Sequence, residues 1–304
     1  MAGSEPNELM CVIRNTFECP PFDCTEAHYV LAVVALHDDE VFASGSAVLV
    51  APHLALIALH VLDDFAVRYQ GIAARTNSTT NYAIVARCYY GGEWRMLTVQ
   101  QTFNTSGTDI AALYLDLADG QPTAFPWPRI TLDLLPPRRG SRVWSWGHIS
   151  PRALLAGPTL EEVHWYATLA RSSGLVQEIF PSMRDRGLVN FPAFQFDARV
   201  DGSMSGGPVF DEEGHLVGIN SSSLPPTGDN DRLHTSTAAL LWPVPALAFT
   251  PHAQTPLGGS EIRFVEDLHL LGFLPMINHS AVHVDREVST GELHVRVSIP
   301  EDRV

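Results

Sequence analysis

Residues 196–210 read FDARVDGSMSGGPVF, in which a turn of small residues precedes the short apolar run PVF. Ser205 lies in this turn and is followed directly by Gly206, Gly207 and Pro208. The glycines allow the backbone to approach a bound group closely, and the proline suits the start of a new extended segment. The pattern therefore predicts that Ser205 is presented at a tight turn that leads into a β-strand.

Two earlier segments place a histidine and an aspartate beside apolar strands. Residues 43–62, ASGSAVLVAPHLALIALHVL, indicate a strand, a Pro-His turn and a second strand that ends at His60. Residues 107–115, GTDIAALYL, place Asp109 at the start of a strand. A serine hydroxyl is a poor nucleophile until a neutral imidazole accepts its proton, and the imidazole needs a carboxylate on its other nitrogen. The order His60, Asp109, Ser205 therefore predicts a catalytic triad for acyl transfer.

These segments resemble the trypsin-like (chymotrypsin-fold) serine peptidases, in particular the bacterial disulfide-free members. The likeness lies in ALH at 58–60, DIAAL at 109–113 and SMSGGP at 203–208, and it covers about residues 28–250. The resemblance implies an all-β fold of two six-stranded antiparallel β-barrels with the active site in the cleft between them. His60 and Asp109 would come from the first barrel and Ser205 from the second.

The resemblance also implies a serine endopeptidase that forms an acyl-enzyme on Ser205, with the backbone N–H groups of Ser203 and Ser205 as the oxyanion hole. The family usually has glycine where this chain has Ser203. A side chain there carries a steric penalty for positive φ, so we expect the hole to form only when substrate or a partner binds. Met204 replaces the aspartate that binds a newly cut N-terminus in zymogen-type members, so activation by that route is not expected.

The substrate pocket is predicted by position in the family. Counting back six residues from Ser205 reaches Arg199, at the base of the pocket for the side chain that precedes the scissile bond. A guanidinium there would favour an acidic substrate side chain, unless Asp197 or Asp201 neutralises it or the loop turns it toward solvent. The opposite, polar wall of the pocket is predicted to consist of Asn220, Ser221 and Ser222.

Composition excludes several function classes. The formal net charge of −15 argues against a nucleic-acid or anionic-membrane partner. All 19 basic residues are arginine, which excludes Schiff-base lysines, Ser–Lys dyads and Walker-type phosphate loops. No HExxH, GxGxxG or EF-hand pattern is present, so no cofactor or metal is expected. Asp63 and Asp64, directly after His60, are expected in a solvated loop rather than a metal site.

The N-terminus lacks the pattern of a signal peptide, and no apolar run reaches the roughly 18 residues of a membrane span. We therefore expect a cytoplasmic protein that acts without a membrane. In that compartment the cysteines are expected as reduced thiols, and a zinc site among the first three is the less favoured alternative. The four cysteines are Cys11, Cys19, Cys24 and Cys88.

Turn residues and prolines divide the chain into predicted units. The first lobe spans 28–121, a Pro-rich linker spans 122–140, and the second lobe spans 141–250. Residues 1–27 and 251–304 are extensions. The C-terminal extension is predicted to contain a β-hairpin, because apolar and polar residues alternate on both sides of a turn.

The predicted function is a serine endopeptidase that acts on protein or peptide substrates, with narrow specificity or control by a regulatory protein partner. A trypsin-like pseudo-protease that binds peptides without cutting them is the alternative that Ser203 favours. An esterase with the same triad is a third and weaker reading.

Overall fold

The computed structural model describes residues 25–37, 40–76, 82–90, 93–117, 129–155, 163–224, 234–248, 264–286 and 293–303. Within these ranges the chain is mostly β-strand, and none of the helices has the length and apolarity that a membrane span requires. Short 3-10 helices lie at Thr25–Tyr29, Gly202–Met204, Val244–Ala246, His279–Ala281 and Glu301–Arg303.

The first barrel is a closed, six-stranded antiparallel sheet in the order β1-β2-β3-β6-β5-β4. Its strands are β1 (Val30–His37), β2 (Glu40–Ala51), β3 (Leu54–Ala58), β4 (Ala83–Tyr90), β5 (Glu93–Asn104) and β6 (Ile110–Leu117). Every residue of β1 and β3 is buried, as their uninterrupted apolar sequences require. The predicted strand–turn–strand before His60 is confirmed, with β2 and β3 joined through Pro52 and His53.

Helix α1 (Leu59–Thr76) follows β3 without a loop, and His60 is its second residue. The expectation of a solvated loop at Asp63 and Asp64 is therefore wrong in part, because both are exposed but helical. Val61 and Phe65 lie one helical turn apart and are buried in the barrel core, so this spacing stabilises a helix here.

The second barrel is also closed, in the order β11-β8-β9-β10-β13-β12 with β12 pairing back to β11. Its strands are β8 (Arg142–Leu155), β9 (Val163–Phe180), β10 (Ala193–Phe196), β11 (Pro208–Phe210), β12 (Leu216–Leu224) and β13 (Thr235–Leu240). All neighbouring pairs in this barrel are antiparallel. The predicted fold of two six-stranded antiparallel barrels is confirmed.

The C-terminal segment packs on the second barrel through the chain that links the barrels. Strand β14 (Met276–Ile277) pairs in parallel with β7 (Leu132–Asp133), which in turn pairs with β12. Helix α2 (Val265–Leu270) contributes the fully buried Leu268 to the core. The predicted hairpin is confirmed as β15 (Val282–Arg286) and β16 (Leu293–Val297).

Of the four cysteines, Cys88 lies in β4, where it is a free, buried thiol. Burial raises the pKa of Cys88 to about 12. The other three, Cys11, Cys19 and Cys24, lie outside the described residues, so the prediction about them stays a prediction.

Candidate active site

An Asp–His pair forms at one end of the first barrel. Ala58 pairs with Ile110 across β3 and β6, so the residues after β3 and before β6 come together. The Nδ1–H of His60 donates to Oδ2 of Asp109 at 2.8 Å, and the backbone N–H of His60 donates to Oδ1 at 3.0 Å. The aspartate therefore fixes both the imidazole and the start of α1.

Ser221 is the third group bound to the Asp109 carboxylate. Its hydroxyl, from β12 of the second barrel, donates to Oδ2 of Asp109 at 2.6 Å across the junction of the barrels. A carboxylate can only accept, so the proton shared with His60 resides on Nδ1, and Nε2 is left as a proton acceptor. Ser221 was predicted as a pocket-wall residue, whereas the structure turns its hydroxyl toward Asp109.

The electrostatics around His60 favour the protonated imidazole. Burial lowers the pKa of His60, but the hydrogen bond and charge of Asp109 and the nearby charges of Asp63 and Asp64 outweigh burial. The resulting pKa lies above the usual value of 6.5. A raised pKa makes the imidazole a stronger base, and it requires a higher pH for the neutral form to predominate.

The Ser205 turn needs the two glycines that follow it. Gly206 has a φ of 86°, in the left-handed region, and a Cβ on it would lie 2.1 Å from the Ser46 carbonyl oxygen. A Cβ on Gly207 would lie 2.2 Å from the Trp146 carbonyl oxygen. The turn therefore packs directly against the backbones of both barrels.

Ser46 connects the first barrel to the nucleophile turn, and the sequence did not reveal this role. From β2 its backbone N–H donates to the Ser205 carbonyl at 2.9 Å, and its hydroxyl donates to the Ser203 carbonyl at 2.8 Å. The hydroxyl also accepts the His148 backbone N–H at 2.9 Å. The available signal was a serine at the start of a predicted apolar strand, because Ser46 is fully buried once the strand folds and a buried hydroxyl requires hydrogen-bond partners.

The two hydrogen-bond donors of Ser205, its hydroxyl and its backbone N–H, both bind carbonyl groups within the chain. Its hydroxyl donates to the Ser221 carbonyl at 3.1 Å, and its backbone N–H donates to the Gly202 carbonyl at 3.3 Å. The second contact closes a 3-10 turn over Gly202–Met204. Among the described residues other than glycine, only His53 and Asn278 have positive φ, so Ser203 does not adopt that conformation. In this state the Ser205 N–H is not free to bind an oxyanion.

Two cavities flank His60. The Ser205 cavity, of about 580 Å³, is lined by His60, Ser203 and Ser205 together with Asp64 and Arg68. The Asp63 cavity, of about 590 Å³, is also lined by His60. The described residues that line it include Asp63, Asp109, Leu188, Phe191, Ser221 and Ser222. His60 therefore lines both cavities, and Ser205 shares one of them with it.

Arg199 lines neither cavity among the described residues. Its Nε and Nη2 atoms donate to the two oxygens of Asp201 at 3.0 and 3.3 Å. The sequence-based expectation placed this guanidinium at the base of a substrate pocket, and the structure differs because the nearby carboxylate binds it bidentately. The sequence analysis had left open that Asp201 neutralises Arg199, and the structure shows this pairing.

Asn220 also differs from its expected place in the pocket wall. Its side chain is fully buried, donates from Nδ2 to the Trp146 carbonyl at 3.0 Å and accepts the Ser145 hydroxyl at 2.9 Å. These bonds support the floor beneath the nucleophile turn and leave no amide atom for substrate. Ser222 is the member of the predicted wall that lies beside His60 with its side chain partly exposed.

One group of possible metal ligands lies away from the cleft, at the turn between β11 and β12. Ligand atoms of Asp211, Glu213 and His215 lie within 4.8 Å of one another. Asp211 already accepts the backbone N–H groups of Glu213 and His215 and pairs with the His215 ring. These bonds account for the turn without an ion.

Two closed barrels, with an Asp–His pair from one and a serine flanked by Gly-Gly-Pro from the other, define a trypsin-like serine peptidase. The chain belongs to that family, because the family model of the trypsin-like peptidase domain matches residues 45–219. It is a serine endopeptidase, and its substrates are proteins or peptides.

Several solved structures are similar to this chain. Deg5 is 18% identical with a TM-score of 0.45, and the match covers 65% of this chain and 81% of Deg5. The apo MamO protease domain from Magnetospirillum magneticum is 18% identical with a TM-score of 0.44, covering 71% and 94%. The inactive form of the Rv3671c protease from M. tuberculosis is 16% identical with a TM-score of 0.41, covering 71% and 84%. No curated protein matches the sequence.

Proposed function

We propose that this endopeptidase uses Ser205 as nucleophile, His60 as general base and then acid, and Asp109 as the orienting carboxylate. The observation that carries the proposal is the hydrogen-bonded array of His60, Asp109 and Ser221, which leaves the Nε2 of His60 as an acceptor. Ser205 lines the same cavity as this imidazole.

Acylation begins when the Ser205 hydroxyl leaves the Ser221 carbonyl and donates its proton to Nε2 of His60. The oxygen then attacks the scissile carbonyl carbon, and the imidazolium returns the proton to the leaving amine. Water repeats the sequence to release the acyl group. Asp109, held by Ser221 and by the His60 backbone, stabilises the imidazolium in both halves.

The oxyanion hole is proposed to form only on binding of substrate or a partner. The backbone N–H groups of Ser203 and Ser205 are its donors, and in the resting chain the Ser205 N–H is bound to the Gly202 carbonyl. Rotation of the Gly202–Ser203 peptide would free it, and one such donor contributes about 3 kcal/mol to transition-state stability. Met204 is fully buried and apolar, so a new N-terminal amine has no carboxylate there to bind.

The resting geometry also favours one second candidate, a peptide-binding pseudo-protease. In that function the Gly202–Ser205 turn would persist when peptide binds, and the cleft would hold peptides without cutting them. The intact His60–Asp109 pair favours the peptidase, because a binding module needs no polarised imidazole.

A fluorophosphonate probe separates the two functions, because it reacts only with an activated serine. We expect the purified chain to be labelled and to cleave a peptide library. The Ser205→Ala and His60→Ala variants should lose both activities, with peptide cleavage falling by about 10⁴-fold or more because triad members act as a unit. The rate of peptide cleavage by Asp109→Asn should fall by orders of magnitude, while the circular dichroism spectrum of this variant stays that of the parent.

Ser141→Ala is the matched control, because it removes a serine hydroxyl that binds the Arg138 carbonyl in the chain between the barrels. Undiminished cleavage by Ser205→Ala would disprove the triad. Absence of labelling in the parent, combined with saturable peptide binding, would establish the pseudo-protease instead.

A further inference from the structure

The Asp63 cavity has an unbalanced charge. Among the described residues that line it, the acidic ones are Asp63 and Asp109, no arginine is present, and the titratable base, His60, is already paired with Asp109. Asp109 is buried and bound by His60 and Ser221, whereas Asp63 is exposed on α1 and its carboxylate forms no hydrogen bond or ion pair within the described part of the chain. Asp63 is therefore the carboxylate that a bound molecule can reach.

A structured loop between β9 and β10 forms another part of the cavity lining and contributes the apolar Leu188 and Phe191 together with the polar Asn190. The Oδ1 atom of Asp185 accepts the backbone N–H groups of Gly187, Leu188 and Val189 at 2.8, 2.7 and 3.3 Å. Arg184 donates to the other oxygen at 2.8 Å, and Val189 is fully buried. The loop thus presents the Leu188 side chain, 72% exposed, at the cavity rim.

We propose that the Asp63 cavity selects substrates with a lysine or arginine side chain, whose charged end binds Asp63 and whose aliphatic stem packs on Leu188. Long basic side chains bury their methylene stems on apolar surface while the charge pairs elsewhere, which matches a cavity lined by both Leu188 and Asp63. The inference rests on the proposed function, because it takes the cavities beside His60 as the substrate cleft.

Other substrate side chains fit the cavity less well. An acidic side chain would meet Asp63 without any described arginine in the cavity to neutralise it, so it would be repelled. An apolar side chain would contact Leu188 but would cover an unpaired carboxylate, whose desolvation is unfavourable. The cavity therefore differs from the site predicted from Arg199, which would have favoured an acidic residue.

The neighbouring residue offers a matched control. Asp64 is also exposed on α1, but it lines the Ser205 cavity and pairs with Arg68 at 2.6 Å. Asp63 and Asp64 both raise the pKa of His60. Asp63→Asn and Asp64→Asn therefore remove the same charge near the imidazole, and they differ in the cavity that each changes.

The test compares peptides that differ only in arginine, its neutral isostere citrulline, or glutamate, at each position from four before to three after the scissile bond. At one position we expect arginine to exceed citrulline in kcat/KM by about two- to fivefold, the range of an ion pair at an exposed rim. Asp63→Asn should bring this ratio to about one, and Asp64→Asn should retain it. The preference should weaken as salt is added.

Binding of the same peptides to Ser205→Ala, measured by fluorescence anisotropy, separates this inference from the proposed function. Loss of arginine preference in Asp63→Asn, in cleavage or in this binding assay, supports the inference even where the parent proves unable to cut. Equal ratios in the parent at every position, or an equal effect of Asp63→Asn and Asp64→Asn, would overturn it while leaving the triad proposal intact.

Discussion

At the scale of single residues, Ser203 controls the state of the proposed oxyanion hole. In the resting 3-10 turn, Ser203 does not have a positive φ. In the proposed rotated form of the Gly202–Ser203 peptide, Ser203 takes a positive φ, which costs about 1–2 kcal/mol for a residue with a Cβ. The hydroxyl of Ser46 holds the Ser203 carbonyl and helps to define the resting turn. A side chain at Ser203 therefore biases the turn toward its resting form.

We expect Ser203→Gly to raise basal kcat about tenfold, since removing about 1.4 kcal/mol of strain from the competent conformation corresponds to that factor. Ser203→Ala is the control, because it removes the hydroxyl and keeps the Cβ, and its kcat should stay near that of the parent. Steady-state kinetics on one peptide substrate measures both. An equal rise in the two variants would show that the hydroxyl, rather than backbone strain, limits the hole.

At the scale of elements, the pairing of β3 with β6 brings His60 and Asp109 together. The C-terminal helix α2 contributes to a hydrophobic core of the same chain. Leu268 of α2 is fully buried and shares a cluster with Leu132 of β7 and Leu216 of β12. The C-terminal segment is therefore part of a core that it shares with the chain between the barrels and with β12. Its described residues line neither cavity beside His60.

We expect Leu268→Ala to lower the free energy of unfolding by about 2–5 kcal/mol, because it leaves a cavity in this core. Leu270→Ala on the same helix is the matched control, since Leu270 is 70% exposed, and its change should stay within about 0.5 kcal/mol. Urea unfolding measures both. Two equally small effects would show that α2 does not contribute to the core.

At the scale of the whole molecule, His148 lies where the two barrels meet. It belongs to β8, its Nε2 lies 3.5 Å from the Val30 carbonyl oxygen of β1, and its backbone N–H binds Ser46 of β2. Nδ1 is buried and forms no hydrogen bond within the described residues. Burial lowers the pKa of His148 from 6.5 to about 4. The contact between the barrels therefore requires a neutral imidazole.

Because this pKa is lower in the folded chain than in the unfolded one, the unfolded chain binds more protons between about pH 4 and 6.5. Above pH 6.5, His148 does not lower the free energy of unfolding, because it is neutral in both states. As pH falls from 6.5 toward 4, the free energy of unfolding decreases by about 3 kcal/mol in all. Replacing His148 with glutamine removes the titration, so unfolding free energies measured at pH 7 and 4.5 should differ less in the variant. If the difference between the two pH values were the same in the variant and the parent, groups other than His148 would cause the pH dependence of stability.

The all-β class of the fold could be predicted from local sequence patterns, and the order of the proposed triad was predicted from them as well. Both depend on local signals, namely short apolar runs between turns and the residues around His60, Asp109 and Ser205. The glycines after Ser205 belong to the same kind of signal, because a positive φ and close backbone contact restrict the residue type at those positions. The β-hairpin of the C-terminal extension was likewise visible as alternation.

The pairs of polar groups that join the two barrels could not be predicted from the sequence and are visible only in the folded chain. Ser221 and Asp109 are 112 residues apart, and Ser46 and Ser203 are 157 apart, so no local pattern indicated either hydrogen bond. Arg199 binds Asp201, and the sequence had left this pairing open, because the direction of a side chain in a loop depends on how the loop folds. Hydrogen-bond partners are chosen by the packing of distant strands, and that packing is a property of the whole chain.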